Sequence, residues 1–298
     1  MMFTGRSAFP LTPIKDDAVD ETAFARLVER LAAENVDSVT ALGSTGSYAY
    51  LSTRERARVT ELAVEHAQHV PVLVGVGALR TSDVMTHVEN AQRAGASGLL
   101  LAPMSYQPLT EDEVYSLFRT VTQNASAPVV VYDNPGTTRF TFSTELYGRI
   151  AALPGIASIK IPAVSGELHQ ARTRIDEIRA VIPEHVTIGV SGDPTAVTGM
   201  LAGCDAWYSV LAGTLPRAAK RIIGPALAGH AAEAVAESQR LAPLWGLFTD
   251  HGSLRVVAAI AEHLRLTDHP NLPAPLRGLP PTARHHLREA IEKLALLP

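Results

Sequence analysis

The sequence predicts an α/β fold, a (β/α)₈ barrel with a C-terminal helical extension. Three observations predict it. Short apolar runs rich in Val, Ile and Leu recur along the chain, each bounded by Gly, Pro, Ser or Asp. The runs are continuous rather than alternating, as suits parallel strands covered on both faces. Each is followed by a longer stretch with helical spacing. The runs fall at residues 38–42, 72–76, 98–102, 128–132, 156–160, 186–190 and 206–210, and residues 5–9 supply a less apolar first strand. Helical patterns cover 21–34, 52–69, 82–94, 110–123, 143–152, 168–181, 194–201 and 215–228. In the first of these Phe24, Leu27, Val28 and Leu31 share a face. Ser52 with Glu55, and Thr110 with Glu113, have the spacing of capping boxes. Eight strand–helix pairs make a closed barrel a better fit than a doubly wound sheet.

Beyond about residue 228 only helical spacing continues, at 230–248, 253–264 and 282–297, with a Pro-rich stretch at 269–281. The expected organisation is a barrel over residues 1–228 that holds the active site, and a helical region over 229–298 packed on it.

Composition narrows the function. The net charge is −4 with Lys and Arg scattered, so no basic stripe invites nucleic acid. The single cysteine, Cys204, cannot form an internal disulfide and is expected to be a small buried residue. No apolar run approaches the roughly 20 residues needed to cross a bilayer, and residues 1–13 lack a secretory pattern. A cytoplasmic enzyme with a small-molecule substrate and no membrane partner is the expectation.

In a barrel of this kind the site lies at the C-terminal ends of the strands. The second strand runs into Gly43-Ser44-Thr45-Gly46-Ser47, the fifth into Tyr132-Asp133-Asn134-Pro135-Gly136, and the sixth ends at Lys160. The seventh leads to Ser191-Gly192-Asp193 and the eighth to Tyr208-Ser209. A lysine amine, a phenol and small hydroxyls on one mouth suit Schiff-base chemistry. An apolar strand end favours the neutral, nucleophilic amine. Tyr132 on the neighbouring strand is within range to carry protons. Ser44 and Thr45 offer hydroxyls and backbone N–H groups to a substrate carboxylate without adding a competing positive charge. A phosphate cradle would favour a Lys or Arg at the following helix start, and Ser47-Tyr48-Ala49 has none. Gly75 and Gly77 lack the third glycine of a dinucleotide fingerprint and read as a tight strand-end turn. Asp193 reads as the cap of the following helix. His66 and His69 share a helix face with no third ligand at metal spacing, so no metal and no cofactor are expected.

Gly43-Ser44-Thr45-Gly46, Gly75-Val76-Gly77-Ala78, Tyr132-Asp133-Asn134-Pro135, Ile159-Lys160 and Ser191-Gly192-Asp193 resemble, in order and spacing over the whole chain, the motifs of the dihydrodipicolinate synthase/N-acetylneuraminate lyase family. The resemblance implies a Schiff-base lysine at Lys160, a catalytic tyrosine at Tyr132, carboxylate binding by Ser44 and Thr45, and a pocket contact near Tyr208. It also implies pyruvate and an aldehyde as substrates, and a homotetramer built as a dimer of dimers.

The departures fall on the second substrate. Dihydrodipicolinate synthases carry an arginine two residues beyond the proline of the tyrosine motif; that position is Thr137, and Arg139 comes two residues later. Their interface tyrosine corresponds to Ser105, with Tyr106 displaced by one. Lys160 is followed by Ile161-Pro162, unlike either synthases or sialic acid lyases. Arg139 and Tyr106 are therefore candidate substitutes for the missing substrate contacts. The leading expectation is a Schiff-base lyase or aldolase acting on pyruvate or a related 2-oxo acid. The alternatives are an authentic 4-hydroxy-tetrahydrodipicolinate synthase with a substitute for the arginine, a non-catalytic 2-oxo acid binder, and a metal-dependent aldolase.

Overall fold

A computed structural model describes residues 3–296. Eight parallel strands close into a (β/α)₈ TIM barrel in sequential order. They are β1 (Gly5–Ala8), β2 (Ser38–Ala41), β3 (Val72–Gly75), β4 (Gly98–Leu101), β5 (Val129–Tyr132), β6 (Ile156–Ile161), β7 (Thr187–Val190) and β8 (Ala206–Ser209). The helices that follow them are α1 (Glu21–Ala33), α2 (Thr53–His66), α3 (Thr81–Arg93), α4 (Glu111–Asn124), α5 (Thr144–Ala151), α6 (Leu168–Arg179), α7 (Ala196–Leu201) and α8 (Pro216–Leu227). All eight expected strands are present, including the polar first one. Both capping boxes form: Ser52 and Thr110 each accept from the backbone N–H of a glutamate that bonds back to the cap.

Side-chain alternation divides the apolar residues into two cores. Leu73, Leu100, Val130, Tyr132, Ala206 and Tyr208 point into the barrel with Phe9. Val129, Val131, Ile159 and their counterparts point outward to meet the helices. Lower in the barrel the filling is polar: Ser38 Oγ donates to Ser7 Oγ at 2.8 Å, and Ser7 Oγ is 2.7 Å from Thr40 Oγ1.

Several details depart from the expected elements. The helix foreseen over 230–248 is two helices, α9 (Ala231–Arg240) and α10 (Ala242–His251). Pro243 lies in the first turn of the second, where its missing N–H costs nothing, and it could not continue the first helix. A short hairpin, Ile14–Lys15 with Ala18–Val19, was not foreseen; Asp16 and Asp17 form its turn, both at positive φ. The tail continues with α11 (Ser253–His263) and α12 (Pro281–Lys293). The helix expected over 282–297 thus ends earlier, and Leu297 lies outside the described residues. Ala258 and Ala261 of α11 pack with Leu272 against Leu11 and Leu27 of the barrel. Among the described residues no helix is long and apolar enough to cross a membrane.

The mouth of the barrel depends on one close approach. Leu42, just after β2, adopts a left-handed conformation with φ 57°, and its carbonyl oxygen points at Gly75. A β-carbon at residue 75 would lie 1.8 Å from that oxygen. The clash is with backbone, which cannot rotate away. Gly75→Ala is therefore expected to destabilise the protein by about 3 kcal/mol or more, read as a lowered denaturation midpoint in guanidinium chloride; a midpoint within error of the unmodified chain would refute the constraint.

Candidate active site

A cavity of about 640 Å³ opens at the C-terminal ends of the strands. Ser44, Thr45, Tyr132, Lys160 and Tyr208 all line it. Lys160 and Tyr132 are register partners on adjacent strands, so both side chains enter the barrel at one level. Lys160 is only 4% exposed. Its Nζ lies 3.8 Å from the centre of the Tyr132 ring and 5.1 Å from that of Phe9. Burial holds the lysine below its ordinary pKa range, while Tyr132, Asp193 and Asp133 pull it back up.

Tyr132 belongs to a closed set of polar contacts. Its hydroxyl is 2.8 Å from Ser44 Oγ. Asn134 Nδ2 donates to both oxygens, at 2.8 Å to Tyr132 and 3.0 Å to Ser44. One hydroxyl proton is used between Ser44 and Tyr132, which leaves the other free to point into the cavity. The sequence shows Asn134 inside the tyrosine motif but gives no sign of this contact.

The turn after β2 supplies the opposite wall. Thr45 is buried, and the Ser44 and Thr45 amides donate to no backbone carbonyl among the described residues. Leu42 and Ser47 hold the turn in left-handed conformations, which are unfavourable for such residues. Arg56 braces the neighbouring strand end: its guanidinium is buried and donates to the carbonyls of Gly75 at 2.8 Å and Gly77 at 2.9 Å. Burial lowers its pKa to about 10. The Gly75-Val76-Gly77 segment is thus the acceptor of a buried arginine, which helical spacing in α2 does not reveal.

On the far side, Tyr208 is buried with its hydroxyl 2.9 Å from Ser158 Oγ, its ring edge-on to Phe9 at 5.9 Å. Gly189 makes room for it; a β-carbon there would lie 2.2 Å from the ring. Asp193 corrects the expectation that it caps its own helix. Its carboxylate instead reaches across to β8, accepting from Trp207 Nε1 and Ser209 Oγ at 2.9 Å and from the Leu211 N–H at 3.0 Å. It thus accepts the first N–H of the one-turn helix Leu211–Gly213 in the next β/α unit.

Two expected site residues do not line the cavity. Arg139 follows the single turn Pro135–Thr138 at φ 58° and is exposed. Tyr106 is 88% exposed on the loop after β4. Thr137 does line the cavity, its hydroxyl donating to the Asn134 carbonyl at 3.3 Å. His66 and His69 bond to different partners, Glu29 and Asn35. Among the described residues no three His, Cys, Asp or Glu side chains are grouped to hold a metal ion. Cys204 is buried, which pushes its thiol up to about 12.

The chain matches the model of the Dihydrodipicolinate synthetase family over residues 2–294. It is 31% identical over 299 residues to 4-hydroxy-tetrahydrodipicolinate synthase of Methylococcus capsulatus, covering 99% of this chain and 100% of the relative. Among solved structures it is similar to dihydrodipicolinate synthase from Agrobacterium tumefaciens, at 42% identity and a TM-score of 0.94 over 98% of each chain. It is also similar to the chloride-inhibited dihydrodipicolinate synthase from Acinetobacter baumannii complexed with pyruvate. That likeness has 26% identity and a TM-score of 0.88, over 99% of this chain and 100% of the other.

Burial raises the Asp193 carboxyl to about 6, against the pull of its three donors and Lys160. An unfolded aspartate titrates near ~3.9. The stability gained from this difference is present in full below about pH 4 and lost as pH rises through about 6. Asp193→Asn does not titrate. The stability of the unmodified protein relative to this variant should therefore increase as pH falls from roughly 7 to 5; denaturant melts in matched buffers that show a constant or decreasing difference would contradict this.

Proposed function

Because the chain belongs to the dihydrodipicolinate synthetase family and is an enzyme of its lyase class, we propose that it captures pyruvate or a related 2-oxo acid as a Schiff base on Lys160. It then makes or breaks a carbon–carbon or carbon–oxygen bond beside that centre. The observation that carries the reading is the buried Lys160 amine against the Tyr132 ring, in one cavity with Ser44 and Thr45.

The neutral Nζ adds to the ketone carbon, and the carbonyl oxygen leaves as water after taking up two protons. Tyr132 delivers them, relaying one that Nζ gives up on adding and giving one of its own that solvent replaces, with Ser44 and Asn134 holding its hydroxyl in place. The iminium draws electrons from the bond to the next carbon. Loss of a proton there gives an enamine that adds to an aldehyde; in reverse, a carbon–carbon bond breaks. Hydrolysis of the iminium frees Lys160. The Ser44 and Thr45 hydroxyls and amides hold the 2-oxo acid's carboxylate, and Tyr208 shapes the floor beneath it. The synthase names of the relatives support a second reading, condensation with aspartate semialdehyde, but Thr137 has no charge to hold that substrate's carboxylate. A homotetramer accompanies the leading reading, and exposed Tyr50, Leu79 and Tyr106 are apolar surface that such an assembly would cover.

Pyruvate with borohydride should add irreversible mass at Lys160, found by peptide mass spectrometry, and none in Lys160→Ala. The trapping rate should level off below the ordinary lysine pKa of about 10.5, since burial lowers that of Lys160. An adduct equally abundant in Lys160→Ala would refute the mechanism. With an active substrate pair in hand, Tyr132→Phe should slow turnover by about 10²–10⁴-fold, the usual contribution of general acid–base catalysis; a loss under threefold would remove Tyr132 from the proton path.

A further inference from the structure

One wall of the cavity comes from the tail and not from the barrel. The chain breaks between α10 and α11 at Gly252, with φ 79°. Phe248 and Thr249 approach from one side of the break, and Ser253, Leu254 and Arg255 from the other. Among the described lining residues Lys160 and Arg255 are the two cations and Asp193 the one acid, and Asp193 is engaged by three donors.

Arg255 is half-buried and oriented by a single bond, from its Nε to the Arg277 carbonyl at 3.1 Å. Among the described residues its Nη atoms have no acid partner. Arg284 and Arg240 of the tail are paired with Glu262 and Glu237; Arg265, Arg277 and Arg288 have no acid partner among the described residues, but they do not line this cavity. Gly252 does not crowd the guanidinium: a β-carbon there would stand 4.0 Å from Nη1. Gly252 also offers no side chain to cap α11, so the field at the start of that helix adds to the positive charge. An oriented guanidinium with its fork free, facing a cavity with a nucleophilic lysine at the floor, is a carboxylate receptor.

We propose that Arg255 determines specificity by binding a second carboxylate, at the end of the carbon skeleton remote from the ketone. The inference rests on the Schiff-base reading of Lys160. It makes the preferred substrate a 2-oxo acid bearing a second acid group.

The test uses borohydride trapping on the full chain. Half-saturating concentrations are measured for 2-oxoglutarate, 2-oxoadipate and 2-oxopimelate, and for the monocarboxylic 2-oxo acids of equal carbon number. At least one dicarboxylate should be trapped at a concentration about tenfold or more lower than its monocarboxylic counterpart. Arg255→Gln should bring that ratio near one, and Arg255→Lys should restore part of it. Because the ratio is taken within each protein, a general loss of the lysine site affects both arms alike. A ratio near one in the unmodified protein, or a ratio unchanged in Arg255→Gln, overturns the role of Arg255 and leaves the Schiff base standing. Failure of the unmodified protein to trap pyruvate overturns both.

Discussion

A lysine amine kept out of water governs this site. In water an amine is mostly protonated at neutral pH and does not attack a ketone. Lys160 is enclosed by the rings of Phe9 and Tyr132, and burial works against its charge. The same burial would be costly if the group had no use, because an unpaired charge in a barrel is expensive. The surroundings are arranged so that the neutral form is tolerated and the charged form, which on the proposed reading includes an iminium, is still met by the carboxylates of Asp193 and Asp133. Neither acid forms an ion pair with the lysine. Asp133 accepts instead from Tyr147, and Asp193 from three donors on and after β8. A direct ion pair would have fixed the proton on the amine.

Around that amine the barrel behaves as a frame of short, rigid contacts. Register places Lys160 beside Tyr132, and a glycine opposite each bulky intrusion keeps the strands close: Gly75 against the Leu42 carbonyl, Gly189 against Tyr208. Arg56 fastens the end of β3 by its carbonyls. The strained turn bearing Ser44 and Thr45 can persist because these neighbours over-determine it.

The fold was legible because period carries over. Continuous apolar runs and 3.6-residue spacing located all eight strands and the helices between them, and capping pairs such as Ser52 and Glu55 marked helix starts. Lys160, Tyr132, Ser44, Thr45 and Tyr208 were legible as groups at strand ends, and they share the cavity. What stayed hidden depends on direction in space. Asp193 sits where a cap would sit, yet its side chain crosses to another β/α unit. Arg139 was considered because it lies near a motif in sequence, but a left-handed residue turns it outward. Arg255 lies some 95 positions beyond Lys160 in a helix with no motif, and only the path of the tail brings it to the cavity.

That path separates two kinds of residue by where they sit. Lys160, Tyr132 and Tyr208 are on strands, where each side chain is shared with two neighbouring strands and a substitution disturbs them all. The wall at Gly252 is a joint between two helices, with fewer obligations to the rest of the structure. Sequence drift at such a joint changes what the cavity admits while the lysine and its tyrosine stay as they are. On the proposed reading, a lineage of these proteins is thus free to exchange one carbon skeleton for another by altering its tail, with the chemistry inherited unchanged.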